Sequence, residues 1–298
     1  MMFNRLLASR KRPCFKQPRQ WDTLNLDLSG CEFSITLPPQ DYEFPEEKYG
    51  KQFNLFDADF YYYSEKPDRN GYPPTFKGVS DAGVLNRNWY TYGPIWRSQH
   101  LGTLQCSAVV CDISRMATEF NSFNPEQFER LLMHGLYYTF GPGGGLNEYT
   151  TPVNWEVKTI HGVDWAYYES WSRKAEWEPA RTAINDASLF TAWLATPLFK
   201  DKYLLLSFFS IGSVPAEPSN ALMFSRINAI IPSLKLKLSP ESTQQKASAR
   251  QRNPGARYST QRDPENWRYY GSYRQGDFMA DEDPLVFEGE CSPPPKLY

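Results

Sequence analysis

Apolar and polar residues alternate along several short stretches of this 298-residue chain, and a period of two is typical of β-strands that bury one face. The pattern covers Leu24–Leu28 and Phe33–Leu37, with the turn Ser29-Gly30 between them, and it returns in residues 155–168 and 190–211. Each pair of stretches is separated by turn residues and therefore predicts a β-hairpin. The two strands of a hairpin run antiparallel, so the chain is predicted to build an antiparallel sheet. Another layer must cover the apolar face of that sheet.

Two stretches follow the helical period instead. Asn124-Pro125 is a typical cap and first residue of a helix, and apolar residues then recur every three or four positions as far as Gly141-Pro142. A second helix is predicted from Ser219 or Asn220 to just before Pro232. Helices separated by runs of hairpins predict an α+β fold, in which helices pack on an antiparallel sheet, and not a doubly wound parallel sheet.

Composition divides the chain into parts. Residues 21–239 carry the patterns above and are predicted to form a single α+β domain, with a loop-rich insert at about 41–100. Residues 240–298 contain only five Leu, Ile, Val or Phe beside seven Pro. That is too little apolar surface to offset the entropy of ordering, so we predict a disordered charged tail. Basic residues dominate 246–274, whereas 277–290 carry six acids and no base.

The first twenty residues carry six Lys or Arg and no acidic residue. The favoured interpretation is a solvated basic N-terminal arm, residues 1–20. The alternative is a presequence or a contact with anionic lipid, which would make the protein organelle-targeted or peripheral to a membrane surface. A secretory signal is not predicted, because the apolar stretch 1–8 is short and precedes most of the charges.

Bulk properties exclude other classes of protein. The longest apolar runs, such as Tyr203–Phe209, are far shorter than the roughly 18–20 residues that span a bilayer. The five cysteines are scattered without a CxxC pair, which indicates reduced thiols and a cytoplasmic protein. Cys106 and Cys111 are expected on opposite faces of one strand. A net charge of −2 does not favour a nucleic-acid partner.

The sequence contains no motif for a cofactor, a metal or a catalytic group. His100, His134 and His161 lack metal-ligand spacing. The glycine-rich stretch Gly141–Gly145 follows a helix, whereas phosphate-binding loops precede one. We therefore predict no cofactor, no metal site and no assigned catalytic residue.

Three segments carry a family resemblance at the level of element order. They are the strand "FSITLP", the hairpin "VKTIHGVDWAYYES" and the closing helix and strand "FSRINAIIPSLKLKL". Over residues 21–238 the chain resembles the Mog1/PsbP/DcrB group of α/β/α sandwiches, although the insert and the charged tail depart from the compact domain of that group. Its members are mostly non-enzymatic binding or assembly factors. The resemblance implies that class and a Mog1/PsbP-like sandwich, and it transfers no site residue.

Aromatic residues make up 16% of the chain, and several of them lie among polar residues in the loop-rich insert. Exposed Tyr and Trp dominate the energetics of protein interfaces. We therefore predict a non-enzymatic module that binds another protein, such as an immunity protein, an adaptor or an assembly factor. The predicted partner-binding residues are Tyr61, Tyr62, Tyr63, Trp89, Tyr90, Tyr92, Trp96 and Arg97.

The alternative hypothesis is a hydrolase or carbohydrate-active enzyme with a carboxylate and histidine site beside the same loops. Its candidate residues are Asp57, Asp59 and His100. Such a site requires these side chains to converge in a concave pocket within hydrogen-bond reach of one another.

Overall fold

The computed structural model describes most of the chain, namely residues 6–9, 11–16, 18, 20–41, 50–61, 79–96, 100–116, 120–140, 149–172, 189–213 and 215–265. The strands are β1 (Cys14–Phe15), β2 (Asp22–Leu28), β3 (Cys31–Leu37), β4 (Gln52–Phe53), β5 (Ser80–Tyr92), β6 (His100–Asp112), β7 (Tyr149–Ile160), β8 (Val163–Ser172), β9 (Leu189–Phe199), β10 (Lys202–Ile211) and β11 (Lys235–Lys237). The α-helices are α1 (Pro125–Phe140), α2 (Ala216–Ile230) and α3 (Pro240–Arg252), and short 3₁₀ helices occupy Ala58–Phe60 and Ile231–Ser233.

The described strands form two sheets. The larger sheet has the order β1-β5-β6-β10-β9-β8-β7, and every neighbouring pair in it is antiparallel. The smaller sheet has the order β11-β3-β2-β4, and only its β2–β4 pair is parallel. The fold is therefore sheet-rich and mainly antiparallel, with few helices.

Apolar residues cover both faces of the larger sheet. Cys106 of β6 belongs to a cluster with Phe33 of the smaller sheet and Ile227 of α2. Cys111 of the same strand belongs to a second cluster with Phe128 of α1. The two cysteines thus face opposite sides of one strand, as predicted, because side chains alternate along a strand.

The hairpins and the first helix predicted from local signals are confirmed. Strands β2 and β3 pair around Ser29-Gly30, and β7 and β8 pair around His161-Gly162. Both residues of each turn have positive φ, between 48° and 83°, as a type I′ turn requires. Asn124 caps α1, because its Oδ1 accepts the backbone N–H groups of residues 126 and 127 at 3.1 and 3.4 Å.

The loop-rich insert contains a long strand that the sequence analysis missed. Strand β5 has 13 residues and pairs along β6. Its pattern is obscured because polar side chains occupy its centre, where Gln105 Nε2 of β6 donates to Asn86 Oδ1 at 2.9 Å. A register shift between Gly83 and Leu85 breaks the alternation as well.

The prediction of a disordered tail from residue 240 is wrong for residues 240–265. Ser239 Oγ caps α3 by accepting the N–H of Ser242 at 3.1 Å. The helix docks on the β9–β10 turn, where Gln245 Oε1 accepts the N–H of Lys200 at 2.8 Å. Its buried residues are Ser242 and Ala249, so a count of large apolar residues did not detect this docking. Residues 266–298 lie outside the described residues.

Residues 253–265, here called the strap, continue from α3 onto the second cluster. The ring of Tyr258 packs against that cluster. The buried carboxylate of Glu129 on α1 accepts the N–H of Ser259 at 2.8 Å. Trp155 Nε1 on β7 donates to the carbonyl oxygen of Ser259 at 2.9 Å. The strap is therefore part of the folded domain.

The basic N-terminal arm is also partly integrated. Cys14 and Phe15 form the edge strand β1 against β5, and Phe15 is buried. The prediction of a wholly solvated arm is therefore wrong for these residues. It is based on the count of charges, which ignores the apolar residues between them. No helix in the described part of the chain is long and apolar enough to cross a membrane.

Candidate functional site

The predicted aromatic residues separate into two groups at opposite ends of β6. Tyr61 lies beside Lys202, whose Nζ is 5.9 Å from its ring centroid, and Lys202 pairs with Asp112 at the end of β6. Tyr92 pairs with His100 at the start of β6. The 13 residues of β6 separate these ends by about 40 Å along the strand. The structure does not bring Tyr61 and Tyr92 to one surface.

Trp89 lies in the core, and its expected position in an exposed loop is wrong. It is 3% exposed, and its Nε1 donates to the carbonyl oxygen of Pro39 at 3.0 Å. Strand β5 turns this side chain towards the smaller sheet, where it joins the first cluster. Tyr62, Tyr63 and Arg97 lie outside the described residues.

The remaining predicted residues lie at one end of the β5–β6 hairpin. We call this group, Tyr90, Tyr92, Trp96 and His100, the β5–β6 tip. The His100 ring stacks on Tyr90 with centroids 3.8 Å apart and planes 16° apart, and it meets the Tyr92 ring edge-on at 5.2 Å. Trp96 follows β5 and is 71% exposed. Tyr92 is 3% exposed, as buried as Trp89, so its predicted exposure is wrong as well. The tip thus has a packed aromatic base and a Trp that faces solvent.

A buried carboxylate holds the base of the tip. Asp41 is 7% exposed, and its Oδ2 accepts the backbone N–H of Tyr90 at 2.7 Å and the hydroxyl of Tyr92 at 3.3 Å. Lys16 Nζ lies 3.4 Å from Asp41 Oδ1 and 4.7 Å from the Tyr92 ring centroid. The carboxylate therefore fixes both the backbone and a ring of the tip.

A second cation lies near Asp41. The Arg226 guanidinium is 4.4 Å from the Phe15 ring centroid and 5.5 Å from that of Trp21. Burial lowers the pKa of Arg226 to about 10, and the negative charge of Asp41 opposes this shift. Sequence reasoning missed Asp41, Lys16 and Arg226, because their positions in the chain give no local signal that they meet.

The catalytic set of the alternative hypothesis is not assembled. Asp57 Oδ1 caps the first 3₁₀ helix by accepting the N–H of Asp59 at 3.0 Å, and both carboxylates are exposed. Phe56, next to them, packs on Phe199 at 5.1 Å, beside the β9–β10 turn. His100 lies at the other end of β6. The three side chains therefore do not share a pocket.

The other histidines and the buried cysteines have structural surroundings. His161 Nε2 is 3.0 Å from the carbonyl oxygen of Pro232. Burial raises the pKa of the Cys106 and Cys111 thiols, which disfavours the reactive thiolate. Within the described ranges, no group of His, Cys, Asp and Glu could hold a metal ion.

His134 on α1 gives a testable pH dependence. Burial lowers its pKa to about 4 from an ordinary 6.5, so the unfolded chain takes up a proton that the folded chain resists. Stability is therefore present above pH 6.5 and is lost as the pH falls from 6.5 towards 4. Between pH 7 and pH 4.5, we expect the free energy of unfolding of His134→Gln to fall by about 1–2 kcal/mol less than that of the unchanged protein. Urea unfolding at pH 7 and pH 4.5 measures it, and an equal pH dependence of both proteins would contradict it.

Comparisons with known proteins give little. No family model matches the chain, and no curated protein matches it. A solved structure from Bacteroides thetaiotaomicron VPI-5482 is similar with 11% sequence identity and a TM-score of 0.19. The similarity covers 54% of this chain and 45% of that one, so this chain spans less than half of that structure.

Proposed function

We propose that this protein is a non-enzymatic protein-binding module, in the role of an immunity protein, an adaptor or an assembly factor, and that its partner contacts the β5–β6 tip. The observation that carries the proposal is the 71% exposure of Trp96, four residues after β5, in the hairpin whose end holds the stacked Tyr90 and His100. A Trp at the surface is costly to leave in water, and it is among the residues that dominate interface energies.

The anchoring of the tip supports this proposal. Asp41 fixes Tyr90 and Tyr92 through hydrogen bonds, and β1 closes the edge of the sheet beside them. An aromatic surface that is already held in place loses little entropy when it binds. The tip therefore combines an exposed Trp96 with a base that Asp41 holds in place.

We propose that the helices and the smaller sheet cover the larger sheet as a Mog1/PsbP-like α+β sandwich, a class of mostly non-enzymatic binding and assembly factors. No disulfide joins the four cysteines in the described residues, which supports a cytoplasmic location. Contact of the basic arm with a membrane surface remains the alternative.

The test uses a photoreactive phenylalanine analogue at position 96 of the full chain, with the same analogue at position 56 as the matched control. Phe56 is also exposed, at 56%, but it lies at the far end of β6. In source cells we expect one protein to be crosslinked from position 96 and not from position 56. Equal crosslinking from both positions, or none from position 96, would overturn the proposal.

The second step measures affinity for the protein identified in this way. We expect Trp96→Ala to weaken binding by about 2 kcal/mol or more, roughly 30-fold, because a central Trp is a typical hot spot. Phe56→Ala is expected to leave the affinity unchanged. Isothermal titration calorimetry with purified proteins gives both values, and an equal loss in the two variants would reject the site.

A further inference from the structure

A groove lies between α3, the strap and the strands β8 and β9. Its volume is about 480 Å³, within the range of pockets that bind ligands or peptide side chains. Its apolar lining includes Val163, Pro197 and Leu238, and its cationic lining consists of Lys246, Arg250 and Arg257. We call it the α3 groove.

The α3 groove carries more positive than negative charge. Among its lining residues, only Asp164 is acidic, and Asp164 Oδ1 already accepts the hydroxyl of Thr159 at 2.7 Å. Burial and the neighbouring Arg250 lower the pKa of Lys246, against the attraction of Asp164. The groove therefore has three cations and one carboxylate around an apolar floor.

The cations have few partners within the fold. In the part of the chain that the structure describes, Lys246 and Arg250 form no hydrogen bond and no ion pair. Within the described ranges, Arg257 donates only to backbone carbonyl oxygens, those of Pro254 and Ala256. Charged groups that border a cavity are stabilised by opposite charge, and the groove lining supplies one carboxylate, that of Asp164, for three cations.

We propose that the α3 groove binds an acidic polypeptide segment, and that its occupant is residues 277–290 of this same chain. This segment contains six acids and no base. It also contains the apolar residues Phe278 and Leu285–Phe287. An acidic segment with apolar side chains is complementary to a groove with a cationic border and an apolar floor.

The covalent connection allows this contact. The backbone N–H of Glu265, at the end of the strap, donates to the carbonyl oxygen of Thr151 at 2.9 Å. Thr159, eight residues further along β7, pairs with Asp164 in the groove, so the groove is about 26 Å from Thr151 along the strand. The 12 residues from Glu265 to Asp277 can span up to about 40 Å. The acidic segment can therefore reach the groove.

Carbodiimide crosslinking of the full chain tests the proposal. The reagent joins a lysine amine to a carboxylate in contact with it, and mass spectrometry identifies the joined peptides. We expect an amide link between Lys246 and an acidic residue of 277–290, within one molecule when ¹⁴N and ¹⁵N proteins are mixed. Lys237, which is exposed and paired with Glu32, serves as the internal comparison and is expected to give several-fold less of this link.

Matched variants on α3 separate groove binding from general charge. Arg250→Glu places a negative charge in the groove and is expected to abolish most of the Lys246 link. Arg252→Glu makes the same change two residues along, at an exposed position outside the groove lining, and is expected to retain the link. Higher salt should lower the yield of the link, because it shortens the screening length from about 8 Å at 0.15 M to about 3 Å at 1 M.

Three results would overturn the proposal. One is equal linking of the acidic segment to Lys237 and Lys246. Another is an Arg250→Glu variant that links as the unchanged chain does. The third is linking only between ¹⁴N and ¹⁵N chains, which would assign the occupant to a second copy. Because the β5–β6 tip shares no residue with the groove, Trp96→Ala should not change the link, so failure here leaves the proposed function standing.

Discussion

Replacing Trp165 by alanine is expected to lower the free energy of unfolding by about 3–5 kcal/mol. Trp165 is 1% exposed, and it projects from β8 of the larger sheet towards Phe33 of the smaller one, with ring centroids 6.4 Å apart. The substitution leaves a cavity between the two sheets that the surrounding backbone cannot fully close. Urea unfolding followed by far-UV circular dichroism measures the change.

Two further variants make this result specific. Trp165→Phe keeps most of the ring volume and is expected to recover more than half of the lost stability. Trp96→Ala removes an exposed ring and is expected to change stability by less than about 0.5 kcal/mol. If Trp96→Ala and Trp165→Ala destabilised the protein equally, the assignment of one to the surface and the other to the core would be wrong.

Local signals predicted the elements whose geometry depends on neighbouring residues. The turns at Ser29-Gly30 and His161-Gly162 set two hairpins, because a type I′ turn needs positive φ at both positions. Asn124 marks the start of α1, because its side chain satisfies helix N–H groups within three residues. None of these features requires knowledge of distant parts of the chain.

The exposure of individual aromatic residues could not be predicted in the same way. Trp89 and Trp96 are seven residues apart in a stretch that also contains Tyr90 and Tyr92, yet one is buried and the other exposed. Their difference depends on where β5 ends and on its pairing with β6, which is a contact between distant residues. The role of Asp41 could not be predicted from neighbouring residues either, since it contacts Tyr90 and Tyr92 about fifty positions away.

The strap shows why composition misjudged residues 240–265. Large aliphatic residues are scarce there, and the usual inference from such a composition is disorder. The strap is held instead by one aromatic ring, Tyr258, and by polar contacts to the buried Glu129. Polar contacts of this kind depend on a partner more than one hundred residues earlier, so composition alone does not reveal them.

Replacing Arg262 by alanine is therefore expected to cost about 2–3 kcal/mol of unfolding free energy and to loosen the strap. Arg262 Nη1 donates to Glu129 Oε1 at 2.5 Å, and its Nη2 donates to Glu265 Oε1 at 3.1 Å. Glu129 is 4% exposed. Without the guanidinium, the N–H of Ser259 is the one hydrogen-bond donor that its carboxylate keeps among the described residues, and the carboxylate remains a poorly compensated buried charge.

Hydrogen exchange distinguishes loosening of the strap from a general loss of stability. In Arg262→Ala, the amides of Ser259 and Glu265 are expected to exchange faster than in the unchanged protein, because both donate hydrogen bonds that fasten the strap. The amides of β10, at the centre of the larger sheet, should exchange faster only to the extent set by the loss of overall stability. Arg252→Ala, an exposed arginine at the end of α3, is the matched control and should alter stability by less than about 0.5 kcal/mol. Unchanged exchange at Ser259 would show that tertiary contacts other than the Glu129–Arg262 pair hold residues 253–265 in place.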